Sequence, residues 1–429
     1  MNHGAYFGVM LCCFLCIGVI QQPYYVQSAG ATSSDQTEDI LEMISQVDEG
    51  LVQNYVTKLC AFRPRYTGTT LCNLASQYLY DEFSSMSLET SFHEWFYKGF
   101  RSRNVVATLP GTDPESTAVF IICGHYDTVE VSPGADDDAS GVASVLACAR
   151  IMSQFSFSHT IRFIAFSGEE VGTLGSFSYA RDAYRQEDNI VAVLNLDMVG
   201  YANSAEGGST LRFFPAPRAR WIADFAESIS EKYKDIIDMN VEILPCYIGS
   251  DAQPFIDYGY DGVWIAHHDG YSWGHSADDV PEHLNYTYHA KATRFMLAVL
   301  AEFAIKPLPV QVIIKTPLEG YGYFFDRPTI KLDLGKQWYK GLRGITIAIG
   351  RPVVRVDVLS SEPIKYVVFC VDGNFMYWDS QAPFEWKLEG LHYPLVGRHT
   401  LQVYAYTIEG NSAVDEMQII ILTFSCQYS

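Results

Sequence analysis

Between residues 104 and 303, short β-branched runs alternate with stretches of helical periodicity, and few architectures accept that pattern. The runs at 105–109, 118–123, 161–166, 190–196 and 262–266 are apolar nearly throughout, as strands covered on both faces are. Segments 140–154, 216–233 and 283–303 carry apolar residues at helical spacing. Strand alternating with helix predicts an α/β domain, a mixed, mostly parallel sheet sandwiched by helices. Upstream, Ile40, Leu41, Ile44, Val47, Leu51 and Tyr55 recur at helical spacing, which predicts one helix over 38–58.

The pattern changes at Lys306-Pro307-Leu308-Pro309, and no long amphipathic helix can be traced beyond it. Segments 366–371 and 400–406 alternate instead, with Leu401, Val403 and Ala405 on one face and Gln402 and Tyr404 on the other. With turns at Asp372-Gly373-Asn374 and Glu409-Gly410-Asn411, this predicts a small all-β sandwich. The expected domains are therefore 38–306 and 310–429.

At the start, an apolar run over 5–20 precedes Ala29-Gly30-Ala31, a small-residue cleavage site, so 1–31 reads as a secretory signal. Only His3 and the amino terminus supply positive charge before the run, which leaves an uncleaved anchor as the alternative. Either way the body is expected outside the cytoplasm, secreted or at the cell surface. A membrane enters only if the segment stays uncleaved. In an oxidising compartment Cys60–Cys72 and Cys370–Cys426 are candidate disulfides, while Cys123 and Cys148, in apolar segments, read as buried thiols. A formal net charge of -21 opposes binding to phosphate backbones, so nucleic acid is not an expected partner.

The chemistry lies in where His and acidic residues fall, because nearly all follow an apolar strand at its carboxyl end. In an open α/β sheet that edge is where ligands bind. After 118–123 comes His125-Tyr126-Asp127, where alternate side chains share a face, so Asp127 can orient the His125 ring while its other nitrogen binds metal. Asp136-Asp137-Asp138 stand directly before a helix, and adjacent carboxylates repel unless cations or the helix start compensate them. Glu169-Glu170 follow 161–166, Asp197 follows 190–196, and His275 lies in the loop after 262–266. Taken singly, each has a plain structural reading as a cap, a turn or a solvated loop. Taken together, two His and three carboxylates are the set that two cations bridged by one carboxylate require. A non-ligand carboxylate is then needed to accept the proton of an activated water, and Glu169, beside Glu170, suits that task.

These segments resemble a known family. GHYDT, PGADDDASGVA, FSGEEVGTLGS, NLDMVGY, IGSD and WGHSADD occur in the order and at the separations of the M28 zinc aminopeptidases, a group related to glutaminyl cyclases and glutamate carboxypeptidases. The resemblance covers roughly 38–307. It implies two zinc ions per chain, one held by His125, Asp137 and Asp197, the other by Asp137, Glu170 and His275, with Asp137 as the bridge. It further implies Glu169 as general base, Asp127 orienting His125, and Tyr247 stabilising the oxyanion. Ser276 stands where the family has Thr, and the acid beyond is doubled as Asp278-Asp279, so the partner that orients the site from this loop is ambiguous. The substrates implied are peptide or protein N-termini. The C-terminal VDGNFMYWDSQAPFEWKL and GRHTLQVYAYTIEGN resemble immunoglobulin-like or fibronectin-like modules, which space or tether enzymes and make surface or protein contacts.

Gly270-Tyr271-Ser272-Trp273-Gly274 matches the serine-hydrolase elbow, but an elbow needs a helix straight after Ser272, and 276–281 reads as loop. A non-catalytic binding ectodomain should show gaps in the ligand set, and none is missing. A one-zinc cyclase or a carboxypeptidase of the same fold stays open, the latter expected to use Arg for the substrate carboxylate.

Overall fold

The computed structural model describes residues 34–216, 219–244, 249–305, 310–318, 320–332, 346–360, 362–424 and 427. The leader and the expected boundary at 306–309 lie outside the described residues. Helices α1 (Ser34–Ser45), α2 (Glu49–Cys60) and α3 (Thr70–Ser85) lead into the antiparallel pair β1 (Glu89–Tyr97) and β2 (Phe100–Leu109). Then come β3 (Val119–His125), α4 (Ala139–Met152), β4 (Thr160–Phe166), α5 (Leu174–Arg185), β5 (Ile190–Leu196) and β6 (Thr210–Pro215). After these follow α6 (Arg220–Lys232), α7 (Lys234–Ile237), β7 (Asn240–Ile243), α8 (Ala252–Asp257), β8 (Gly262–His267) and α9 (Tyr286–Ile305).

The strands form one mixed sheet in the order β1-β2-β4-β3-β5-β8-β6-β7. Its central strands β4, β3, β5 and β8 run parallel, so their carboxyl ends share one edge. Both faces are covered. In β3, Phe120 and Ile122 join the core that α2, α4 and α9 build, while Val119, Ile121 and Cys123 join a second core with Tyr179 of α5 and Phe255 of α8. The period-2 alternation of a strand is thus split between two helical layers, which is why these runs read as continuously apolar.

Where one helix was expected over 38–58, there are two. Asp48 makes the break: its backbone is extended at φ -128 and its carboxylate accepts Leu51 N at 2.7 Å, capping α2. Ile40, Ile44, Val52 and Tyr55 nevertheless face one core, so the apolar spacing runs on across the break.

The remaining strands are β9 (Gln311–Thr316), β10 (Tyr321–Phe324), β11 (Arg327–Lys331), β12 (Thr346–Ile349), β13 (Val353–Leu359), β14 (Ile364–Val371), β15 (Asn374–Asp379), β16 (Phe384–Lys387), β17 (Val396–Thr407) and β18 (Ser412–Leu422). They form two sheets, β11-β10-β12-β18-β17-β14-β15 and β16-β13-β9. Val354 and Trp386 from the small sheet meet Phe369, Val403 and Ile419 from the large one in a core of their own. The expected turn at Asp372-Gly373 joins β14 to β15, with positive φ at both residues (52° and 75°), as a two-residue hairpin needs.

The expected Cys60–Cys72 bridge is absent. Cys60 Sγ lies 3.8 Å from Gly134 O, whereas Cys72 Sγ lies 3.7 Å from Ser167 Oγ, so the two thiols sit in separate buried pockets. Bracketing a loop in sequence does not bring two helix positions to bonding distance. Cys123 and Cys148 are buried thiols as expected, and Cys426 lies outside the described residues. Alkylation of the denatured protein without reductant is expected to label Cys60 and Cys72 on separate peptides; a linked Cys60–Cys72 peptide in the mass spectrum would contradict this packing.

Candidate metal centre

The predicted ligands gather at the shared edge. His125 ends β3, Asp137 lies just before α4, Glu170 follows β4, Asp197 directly follows β5, and His275 stands in the loop after β8. Asp137 lies between the two imidazoles: its Oδ1 is 3.1 Å from His125 Nε2 and its Oδ2 is 3.1 Å from His275 Nε2. His125 Nε2 also lies 3.7 Å from Asp197 Oδ1, and His275 Nε2 lies 3.1 Å from Glu170 Oε2. Two donor sets result, sharing one carboxylate.

The three acids of the run have three different duties. Asp138 comes within reach of His125 and Asp197, but its oxygens are occupied by main chain. Oδ2 accepts His125 N at 3.0 Å, and Oδ1 accepts Gly141 N at 2.8 Å and Met198 N at 3.2 Å. That makes Asp138 the cap of α4 and a tie between three ligand-bearing segments. Room for it comes from glycine: a Cβ on Gly124 would meet Asp138 Oδ2 at 2.7 Å, and one on Gly141 would meet both oxygens at 2.6 Å. Asp136 accepts Gly200 N at 2.9 Å and pairs with His267 Nε2 at 2.9 Å.

The doubled acid is resolved by burial. Asp279 is fully buried and accepts Asp136 N at 2.8 Å, Asp137 N at 3.2 Å and Tyr271 Oη at 2.6 Å, whereas Asp278 is exposed. Asp127 does approach the His125 ring, but the hydrogen-bond contact to Nδ1 is its own carbonyl at 3.1 Å, with the carboxylate at 3.7 Å. That carboxylate receives Thr67 Oγ1 at 2.7 Å, Glu169 N at 3.2 Å and Glu170 N at 3.3 Å. Asp127 therefore holds the Glu169-Glu170 turn as well as the ring. Tyr247 lies outside the described residues. Ser272 is exposed in a loop, and the next helical turn begins only at Pro281, so the elbow geometry is absent.

The electrostatics are those of a site built for positive charge. Burial, with the Asp137 charge beside it, pushes Glu170 up to about 7. Burial, with the charges of Asp197, Asp251 and Asp137 nearby, raises Glu169 well above the usual carboxylate range. His275 is lifted to about 9 by its hydrogen bond to Asp137. For His125, burial disfavours the cation, but Asp127, Asp137 and Asp197 together raise it well above the ordinary value. Four-coordinate zinc at about 2.0–2.1 Å from its donors requires donor separations of about 3.3 Å, and the contacts of 3.1 to 3.7 Å match that spacing. The His and carboxylate donors suit zinc equally well.

Comparison with known proteins agrees. Residues 104–300 match the sequence profile of peptidase family M28. A probable zinc metalloprotease of Pyrenophora tritici-repentis is 26% identical over 405 residues, 72% of this chain and 92% of that protein. Among solved structures, the LapA aminopeptidase of Legionella pneumophila shares the fold with a TM-score of 0.58 at 21% identity, over 66% of this chain and 78% of that one. A glutaminyl cyclase of Bacteroides thetaiotaomicron shares it with a TM-score of 0.52 at 20% identity, over 60% and 98%. Over 104–300 the chain is thus similar in sequence to peptidase family M28.

Two residues on which this geometry leans carry no sequence signal, Thr67 and Arg65. Both sit in a loop between α2 and α3 far from every motif, and only their contacts reveal them. Asp138→Ala is expected to cost about 1–3 kcal/mol of stability through the lost cap and the orphaned N–H groups of His125 and Met198. The check is the denaturation midpoint of the metal-free protein, which should fall.

Proposed function

We propose that the chain is a dinuclear zinc aminopeptidase, acting outside the cytoplasm on the amino termini of peptides or proteins. The observation that carries the two-ion reading is the Asp137 carboxylate, with one oxygen 3.1 Å from each of two imidazole nitrogens. A one-zinc cyclase has no need of the second His and its carboxylate. Residues His125 and Asp197 would hold one ion, Glu170 and His275 the other, and Asp137 both.

Bound zinc supplies Lewis acidity, polarising the scissile carbonyl and acidifying a water. The protein supplies the rest. Glu169 is seated beside the ligand Glu170 by the Asp127 carboxylate, which accepts its main-chain N–H at 3.2 Å, and its own carboxylate takes the proton of the attacking water and returns it to the leaving amine. Desolvation favours a proton on Glu169, which fits a group that must hold one in mid-reaction. The surrounding carboxylates favour a substrate whose free α-ammonium enters first. The leader accounts for the extracellular assignment, and 310–429 is read as a surface-contact module.

The expected outcomes are specific. Elemental analysis should find about two zinc ions per chain, and a chelator should abolish hydrolysis of aminoacyl substrates. N-acetylated versions of the same substrates should not be cleaved. Glu169→Gln should keep both ions and lose about 10²–10⁴-fold in kcat; full activity in that variant would sink the base assignment, and one zinc per chain would favour the cyclase.

A further inference from the structure

Arg65 heads the fully buried side chains by volume, with 0% exposure. Its guanidinium serves main-chain carbonyls: Nε donates to Tyr126 O at 2.6 Å, Nη1 to Pro133 O at 2.7 Å and Leu59 O at 3.2 Å, and Nη2 to Gly134 O at 2.8 Å. Its own N–H donates to Thr128 Oγ1 at 3.0 Å. Burying a guanidinium costs several kcal/mol, so a residue needed only to fill space would be apolar. What the planar fork does, and a packing residue cannot, is bind several carbonyls at fixed relative positions.

Besides Leu59 O on α2, the carbonyls it binds belong to the two segments that must meet. Tyr126 lies between His125 and Asp127, and Pro133 and Gly134 lie on the loop that delivers Asp137. Gly134 is seated too tightly for adjustment: at φ +63°, a Cβ there would meet Thr128 Cγ2 at 2.3 Å, Asp137 O at 2.6 Å and Arg65 Nη2 at 2.8 Å. From the same short stretch, Thr67 reaches the Asp127 carboxylate.

We propose that Arg65 is a positioning residue of the metal centre: it sets the separation of the strand end carrying His125 from the loop carrying Asp137, and through it zinc affinity and turnover. This rests on the zinc reading above. Its guanidinium acts on main-chain carbonyls of the segments that carry the ligands, so it should change metal affinity and kcat more than KM.

The test uses full-length Arg65→Lys and Arg65→Ala, with zinc affinity measured by competition against a chromogenic chelator, together with kcat, KM and the thermal midpoint of the metal-free protein. Both variants should fold and bind zinc about 10–100-fold more weakly, the scale at which partners of metal ligands act, with kcat reduced and KM little changed. Guanidinium at non-denaturing concentration should restore zinc affinity to Arg65→Ala, and methylammonium should not. Zinc affinity and kcat like those of the unaltered protein in a folded variant would overturn the proposal. So would failure of both variants to fold, which would make Arg65 a structural residue only. If the unaltered protein binds zinc but cleaves no aminoacyl substrate, the aminopeptidase reading fails while the affinity comparison still decides Arg65. If it binds no zinc, both fail.

Discussion

One carboxylate shared by two imidazoles organises this molecule. With its oxygens aimed at His125 and His275, Asp137 requires that the end of β3, the start of α4 and the loop after β8 converge to within ion-pair distance. Glu170 and Asp197, from the ends of β4 and β5, complete the convergence. Negative charge on this scale, shut away from water, is unfavourable until cations arrive. Raised carboxyl groups at Glu170 and Asp279, the latter at about 6 mainly through burial, are the sign of that cost.

The protein meets the cost with main chain. Asp138 gathers N–H groups from β3, α4 and the segment after β5, and Asp279 gathers those of Asp136 and Asp137. Asp127 does the same for Glu169 and Glu170. His125, Asp137 and Glu170 are each thereby held through main chain by a neighbouring acid outside the candidate ligand set, so the acidic run and the paired glutamates are a scaffold as much as a binding site. Tyr271 and His267 extend this support outward to the loop after β8.

The β module has its own core, and it meets the peptidase part through contacts such as Lys315 over the ring of Tyr184 on α5, at 5.5 Å.

Much of this was legible beforehand. The parallel strands were readable because both their faces are covered, which makes them apolar throughout, and most of the candidate donors stood out because they follow such strands. Strand β1 was not foreseen, since it mixes His93 and Glu94 with aromatics and pairs at the sheet margin. Nor was the division of α1 from α2, because a shared core preserves the apolar spacing through the cap at Asp48. The disulfide expected from Cys60 and Cys72 failed because loop spacing says nothing about where two helix positions point.

Chain order and residue type, then, determined the α/β class and the all-β tail and supplied the candidate donors, since strand periodicity and donor chemistry are local properties. Only the tertiary structure decided which of three consecutive aspartates faces the imidazoles, which of two later ones is buried, and that a distant Arg65 grips both loops. Those outcomes depend on main-chain hydrogen bonds between segments far apart along the chain, and no local pattern encodes them.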